Sequence, residues 1–269
     1  MAELPNYEIY AIRYATQDQR AEGHIYMGGD HSKMLPGLDF FTYAIKGPDQ
    51  SWIVDTGMTE AQAKRMNREY EIICRPSEAL AKIGIDASTA TDVILTHAHF
   101  DHMGTLDDYP NAQFHIQDAE MEHITGRDMT HPAFRLAYHP DDVKLLVDLL
   151  FAGRLIFHRG DVTLAPGLEL ILIGGHARGQ AVLRVHTKRG WVILASDAVH
   201  LFEEMDKERP FAIFYDLSVM LEGYRRISKL AGSRDLIVPG HDRLVTEAYP
   251  AAKAGLEGQV LRLDEKPDL

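Results

Sequence analysis

The chain has 269 residues, of which 45% are hydrophobic and 25% charged, the balance of an ordinary globular protein and not of a disordered or fibrous one. Its 28 Lys and Arg stand against 40 Asp and Glu, a formal net charge of −12 and the wrong sign for binding nucleic acid through phosphates. The single cysteine, Cys74, excludes an intrachain disulfide and any multi-thiolate metal site. No apolar run approaches the ~20 residues that cross a bilayer, so no membrane partner is expected. The start, Met-Ala-Glu-Leu-Pro-Asn-Tyr, has neither the basic nor the apolar region of a secretory signal. A cytoplasmic location is the resulting expectation. With no repeat and no long Pro/Gly/Ser linker, residues 1–269 read as one domain.

In chain order, residues 7–13 read as a strand with its apolar residues on one parity. Residues 39–46 and 51–55 read as a hairpin turned at Gly47-Pro48-Asp49. Residues 60–83 read as helical, with a second start at Pro76-Ser77 and a stop at Gly84. The short apolar run Asp92-Val93-Ile94-Leu95-Thr96 suits a buried strand. Further strands are expected at 112–117, 155–158, 168–173, 181–186, 190–195 and 235–238, with helices at 140–152 and 217–231. Paired strands with interspersed helices predict an α/β protein with two packed sheets and outer helices, and residues 120–155 read as a helical insertion over one face. Helix 217–231 and that insertion are the surfaces a homodimer would use.

The 14 histidines carry the strongest signal. Thr96-His97-Ala98-His99-Phe100-Asp101-His102 follows the buried strand directly. Four potential ligands in six residues are costly in an interior unless something pairs them, and imidazole with carboxylate is a donor set for zinc and similar divalent ions. Three more ligand-type residues end apolar strands: His176 after Leu170-Ile171-Leu172-Ile173, Asp197 after Trp191-Val192-Ile193-Leu194-Ala195, and His241 after Leu236-Ile237-Val238. Carboxyl ends of strands are where layered sheets place their sites. The remaining histidines, His115, His123, His131, His139, His158 and His186 among them, read as having no partner pattern. His24 and His31, in the glycine-containing loop 22–38, are candidates for an entrance.

The His-x-His-x-Asp-His stretch at 97–102, with Gly175-His176, Ser196-Asp197, Gly240-His241 and the early turn Val54-Asp55-Thr56-Gly57, resembles the metallo-β-lactamase fold superfamily. The resemblance implies a four-layer αβ/βα sandwich of two mixed sheets, with metals at one edge between them. It implies that His97, His99 and His176 hold one metal, that Asp101, His102 and His241 hold a second, and that Asp197 bridges the two. Asp55 would steady the ligand loops from behind. Two divalent ions per chain are thereby expected, zinc first, with iron, cobalt or manganese compatible with the same donors.

Within the superfamily the chain most resembles the N-acyl homoserine lactonase group, through Arg209-Pro210-Phe211-Ala212, the helix from Met220 to Leu230 and Pro239-Gly240-His241-Asp242. This implies a lactonase, a hydrolase of ester bonds with a quorum-quenching role, that opens an N-acyl homoserine lactone or other small lactone. The chemistry expected is attack of a metal-bridging hydroxide, with Asp101 passing a proton to the leaving oxygen. Where several lactonases carry a tyrosine three residues after the bridging Asp, this chain has His200, whose imidazole can donate to a developing oxyanion. The same ligands also serve small-ester and thioester hydrolases of the glyoxalase II kind and mononuclear iron dioxygenases acting on persulfides. Met34, Leu35, Phe40, Phe211 and Phe214 are the candidate lining of an apolar substrate pocket.

Overall fold

The computed structural model describes residues 4–269, and its strands fall where short β-branched and aromatic runs are bounded by turn residues. The strands are β1 (Glu8–Thr16), β2 (Gln19–Ala21), β3 (Met34–Pro36), β4 (Asp39–Lys46), β5 (Ser51–Val54), β6 (Glu71–Ile72), β7 (Asp92–Ile94), β8 (Gln113–Gln117), β9 (Leu155–His158), β10 (Val162–Ala165), β11 (Leu168–Leu172), β12 (Ala181–Thr187), β13 (Gly190–Ser196), β14 (Ile237–Pro239) and β15 (Val260–Arg262). The helices are α1 (Glu22–Ile25), α2 (Glu60–Arg65), α3 (Pro76–Lys82), α4 (Asp118–Ile124), α5 (Pro140–Phe151), α6 (Phe202–Asp206), α7 (Leu217–Ala231) and α8 (Arg243–Ala248).

One sheet runs β15-β1-β4-β5-β7-β8-β9, with β6 also on β1, and the other runs β10-β11-β12-β13-β14. Both are mixed: β5, β7, β8 and β9 pair in parallel, as do β13 and β14, and the other pairings within the two sheets are antiparallel. Ile9, Tyr43, Ile45, Val54 and Ile94 of the first sheet share a core with Leu170, Leu183, Val192, Leu194 and Val238 of the second. Outside the first sheet, Ile53, Val93 and Phe114 pack with Leu80 of α3, Met121 and Ile124 of α4 and Leu146 of α5. Outside the second, Ile171, Val182 and Ile193 belong to the same cluster as Met220, Tyr224 and Ile227 of α7. The order of layers is therefore helix, sheet, sheet, helix, as expected.

Two details depart from the sequence reading, and a third gives its helical segment a place. Strand β1 is buried on both faces, at seven of its nine residues, because Tyr10, Ile12 and Tyr14 meet helices while Ile9 and Ala11 meet the other sheet. The stretch 60–83 is not one helix. Helix α2 stops before Asn67, whose φ is +53°, β6 then adds to β1 through Ala15↔Ile72, and Pro76 holds Arg75 extended at ψ 131° before α3 starts. The segment 120–155 holds most of α4, two 3-10 turns and α5, and it connects the parallel neighbours β8 and β9.

Candidate metal centre

Five strand ends meet at one edge of the two sheets. After β5 comes Asp55, after β7 the loop 97–105, after β11 His176, after β13 Asp197 and after β14 His241. Two of these exits are strained: Asp55 and Ser196 hold positive φ, +59° and +45°, without being glycine. Two others need glycine for close approach. A Cβ on Gly175 would lie 2.5 Å from Met220 Cα in the first turn of α7, and one on Gly240 would lie 2.5 Å from Ser196 O.

The exits bring together every ligand-type residue expected from the sequence. His97, His99, His176 and Asp197 form one group, and Asp101, His102 and His241 a second, with the donor atoms of each group within 4.8 Å of one another. None of the seven is more than 9% exposed. Asp197 lies at the centre. Its Oδ1 is 3.1 Å from Nε2 of both His102 and His241, and its Oδ2 is 3.3 Å from His176 Nε2 and 3.9 Å from His97 Nε2.

Outer contacts fix which nitrogen faces inward. His102 Nδ1 is 2.8 Å from Asp55 Oδ2, His176 Nδ1 donates to Ile213 O at 3.0 Å, and His241 Nδ1 donates to Asp39 O at 2.8 Å. Each ring thus turns Nε2 toward Asp197, while His99 turns Nδ1 inward, 2.9 Å from His176 Nε2. His97 Nε2 is buried with no hydrogen-bond partner, the nearest Asp197 oxygen being 3.9 Å away. Burial holds His97 and His176 well below the usual histidine range and carries His99 down to about 3, so these rings are neutral and have a lone pair to give. For Asp197, burial works against ionisation, but His241, His102 and His200 outweigh it and keep the carboxylate charged. Inward nitrogens, one of them orphaned, around an ionised carboxylate fit a divalent metal ion, and no thiolate competes.

Asp55 is fully buried and accepts three bonds: from Thr96 N, from Thr96 Oγ1 and from His102 Nδ1, each at 2.8 Å. Asp55→Asn presents an amide to a site built from donors. We expect metal affinity to fall about 10- to 100-fold, read by competition with a chromophoric chelator against the native protein.

Two carboxylates that sequence reasoning missed hold the same loops. Glu120 Oε1 accepts from Ala98 N at 2.9 Å and Oε2 from Gly179 N at 2.8 Å, tying the 97–102 loop to the 176 turn. Glu204 accepts from Leu201 N and Tyr224 OH and lies 3.3 Å from His200 Nδ1. His200 itself is buried, with Nε2 3.1 Å from Asp197 Oδ2 and its ring stacked on Phe211 at 3.6 Å. Burial disfavours its cation, yet Glu204 and Asp197 carry its pKa up to about 9.

Beside the donors lies a narrow cavity of about 40 Å³, room for roughly three waters. Phe40 and Phe211 line it, as expected, together with Leu38 and Phe100. Arg20, Arg68 and Tyr70, which also line it beside Ala137 and Ile213, were not foreseen. Met34 and Leu35 do not line it. They sit in the ribbon β2–β3, which turns Met34 to solvent at 53% exposure and Leu35 into a separate surface cleft with Pro36, Leu201 and Arg243. Phe214 lines a smaller neighbouring cavity with His99, Tyr138 and Tyr215. His24 and His31 lie exposed, edge to face at 5.0 Å, and line neither cavity. The reading of His115, His123 and His186 as partnerless is also corrected: His115 bridges Asp92 and His158 at 3.0 and 2.9 Å, His123 contacts Asp128, and His186 Nδ1 donates to Pro5 O.

With this fold and this donor set, the chain belongs to the metallo-beta-lactamase superfamily, whose profile matches residues 40–241. It is 26% identical over 230 residues to an N-acyl homoserine lactonase of Bacillus cereus, spanning 79% of this chain and 86% of that one. It is also 27% identical over 191 residues to a probable metallo-hydrolase of Mycobacterium tuberculosis, over 61% of this chain and 58% of the relative. Among solved structures it superposes on a quorum-quenching N-acyl homoserine lactone lactonase with TM-score 0.74 at 23% identity, covering 90% of this chain and 94% of the other. Among the described residues no helix is long and apolar enough to cross a membrane.

Proposed function

We propose that this metal-dependent hydrolase opens a lactone, converting a cyclic ester and water into a hydroxy acid. The observation that carries the reading is the convergence of seven ligand-type side chains, Asp197 among them, in two groups, a donor set for two divalent ions. The similarity to N-acyl homoserine lactonases over most of both chains supports the cyclic ester as substrate. When bound, such ions supply Lewis acidity for a carbonyl and lower the pKa of a coordinated water toward 7.

The protein's own groups do the rest. Asp101 lines the cavity with its carboxylate 3.8 Å from His102 Nε2, placed to take a proton from the attacking water and return it to the departing ring oxygen. His200 lines the cavity, held by Glu204 and Phe211 with Nε2 3.1 Å from Asp197 Oδ2; with Asp197 engaged by metal, its N–H would be available to the carbonyl oxygen as charge develops. Phe40, Leu38 and Phe100 keep that side of the cavity apolar. The cavity is narrow, about 40 Å³, and opens toward solvent beside Arg20, Arg68 and Tyr70, so a substrate would meet these side chains as it enters.

Metal analysis of the purified protein, followed on the same sample by proton release from lactones, linear esters and thioesters, tests the reading. Two divalent ions per chain, with lactones opened fastest and activity lost to chelator, is the expected result. Faster thioester cleavage would move the substrate to that class. One iron per chain with oxygen consumption and no hydrolysis would overturn the proposal in favour of an oxygenase.

A further inference from the structure

Arg20 presents a guanidinium to the cavity although the residue is only 9% exposed. Its Nε donates to His24 O at 3.1 Å, and its guanidinium carbon lies 5.6 Å from the centroid of Phe211. Half-buried Arg68 lines the same wall. Among the described residues neither guanidinium is within 4.0 Å of a carboxylate. Neighbouring cations are paired: Arg209 meets Glu22 at 2.9 Å and Glu203 at 3.4 Å, and Arg243 meets Asp18 and Asp39. Burial and the like charge of Arg68 work against the charge on Arg20, while the Tyr70 hydroxyl and, more weakly, Asp101 of the candidate ligand set favour it. Arginine stays charged in proteins, and two such charges at a narrow, partly buried cavity are stabilised when an anion joins them.

We infer that Arg20 and Arg68 form an anion-binding wall and that the substrate carries a second acidic group, a carboxylate or phosphate, besides its scissile carbonyl. The inference rests on the hydrolase reading above. The carboxylate that hydrolysis itself releases forms at the ligand cluster, and although Arg20 borders the same cavity as Asp101, His200 and Phe211 stand between it and Asp197. The acidic group therefore projects away from the reacting carbon toward β2. Its oxyanion would take paired N–H groups of the two guanidinia, a recognition that a lysine cannot reproduce in full.

Three lactones on one ring test this: γ-carboxy-γ-butyrolactone, its neutral carboxamide, and γ-phosphooxymethyl-γ-butyrolactone. The native protein should favour one charged lactone over the carboxamide by at least about 30-fold in kcat/KM, and the better of the two names the acid. Arg20→Gln and Arg68→Gln should each remove most of that preference, by about 30-fold, the low end of the scale for truncating one partner of a buried charge pair, and Arg20→Lys should restore part of it. No preference in the native protein, or a preference unchanged in both variants, overturns the inference. Should Arg20→Gln fail to fold, Arg68→Gln carries the same test from a more exposed position. If none of the lactones is opened, calorimetric titration with the ring-opened dicarboxylate and with its monoamide separates the two readings. A dicarboxylate bound at least about 30-fold tighter, with the advantage lost in the variants, keeps the anion wall and rejects the hydrolase. Equal binding rejects the wall.

Discussion

Asp101→Asn is expected to lower kcat by about 10²- to 10⁴-fold, the range for losing a positioned proton-transfer group. The substitution keeps the size of the side chain and one acceptor oxygen while removing the base. The loop itself is held by main-chain contacts that the change does not touch: Tyr14 Oη donates to Asp101 O at 2.6 Å, and His102 O accepts from Thr56 N at 2.7 Å. Thermal unfolding should accordingly stay close to native. Because Asp101 also stands in the second donor group with His102 and His241, metal content must be measured on the same preparation. A variant with native metal content whose kcat stays within about fivefold of native would show that Asp101 handles no proton.

His200→Ala is expected to cost about 10²- to 10³-fold in kcat, the loss seen when one donor to an oxyanion is removed. The environment of His200 is built to hold a protonated ring: Glu204 on Nδ1, Asp197 on Nε2 and the face of Phe211. The alanine variant also leaves a gap beside Phe211, so His200→Phe is the informative companion, preserving the stacked volume while deleting both N–H groups. If phenylalanine restores the rate, packing and not hydrogen bonding is what His200 contributes. If both variants are impaired alike at native metal content, the N–H is what matters.

The ligand set was legible in the sequence because each of its members follows a short apolar run. A strand in a two-sheet stack must be apolar on both faces, and the first polar residue after it marks where the chain leaves the stack. The layers were legible for the same reason. Less visible were β2, β3, β10 and β15, each three or four residues long, whose pairing is set by tertiary contacts and not by local propensity. Glu120 and Glu204 could not be told from surface acids, since each sits in a helix whose first turn favours negative charge. Arg20 comes from one of the short strands, and Arg68 and Tyr70 from the link between α2 and β6, segments with no apolar period to fix their direction. The expectation for Met34 and Leu35 rested on closeness to Phe40 in the chain, but Gly37 intervenes, its N–H bound to Asp18 O, and the backbone turns the ribbon outward.

The donors are contributed by loops of two different sheets, and neither sheet alone holds a complete group: His176 and Asp197 leave the second, His97 and His99 the first. Before the sheets dock, an ion would find only the local 97–102 fragment. Cation binding and the docking of the two layers are therefore thermodynamically linked, and an ion held at one hundred times its dissociation constant would add about 2.7 kcal/mol to the cohesion of the sandwich. Folding stability in this protein would then rise with the surrounding free-metal concentration, and a chelator would lower the unfolding temperature as well as the activity.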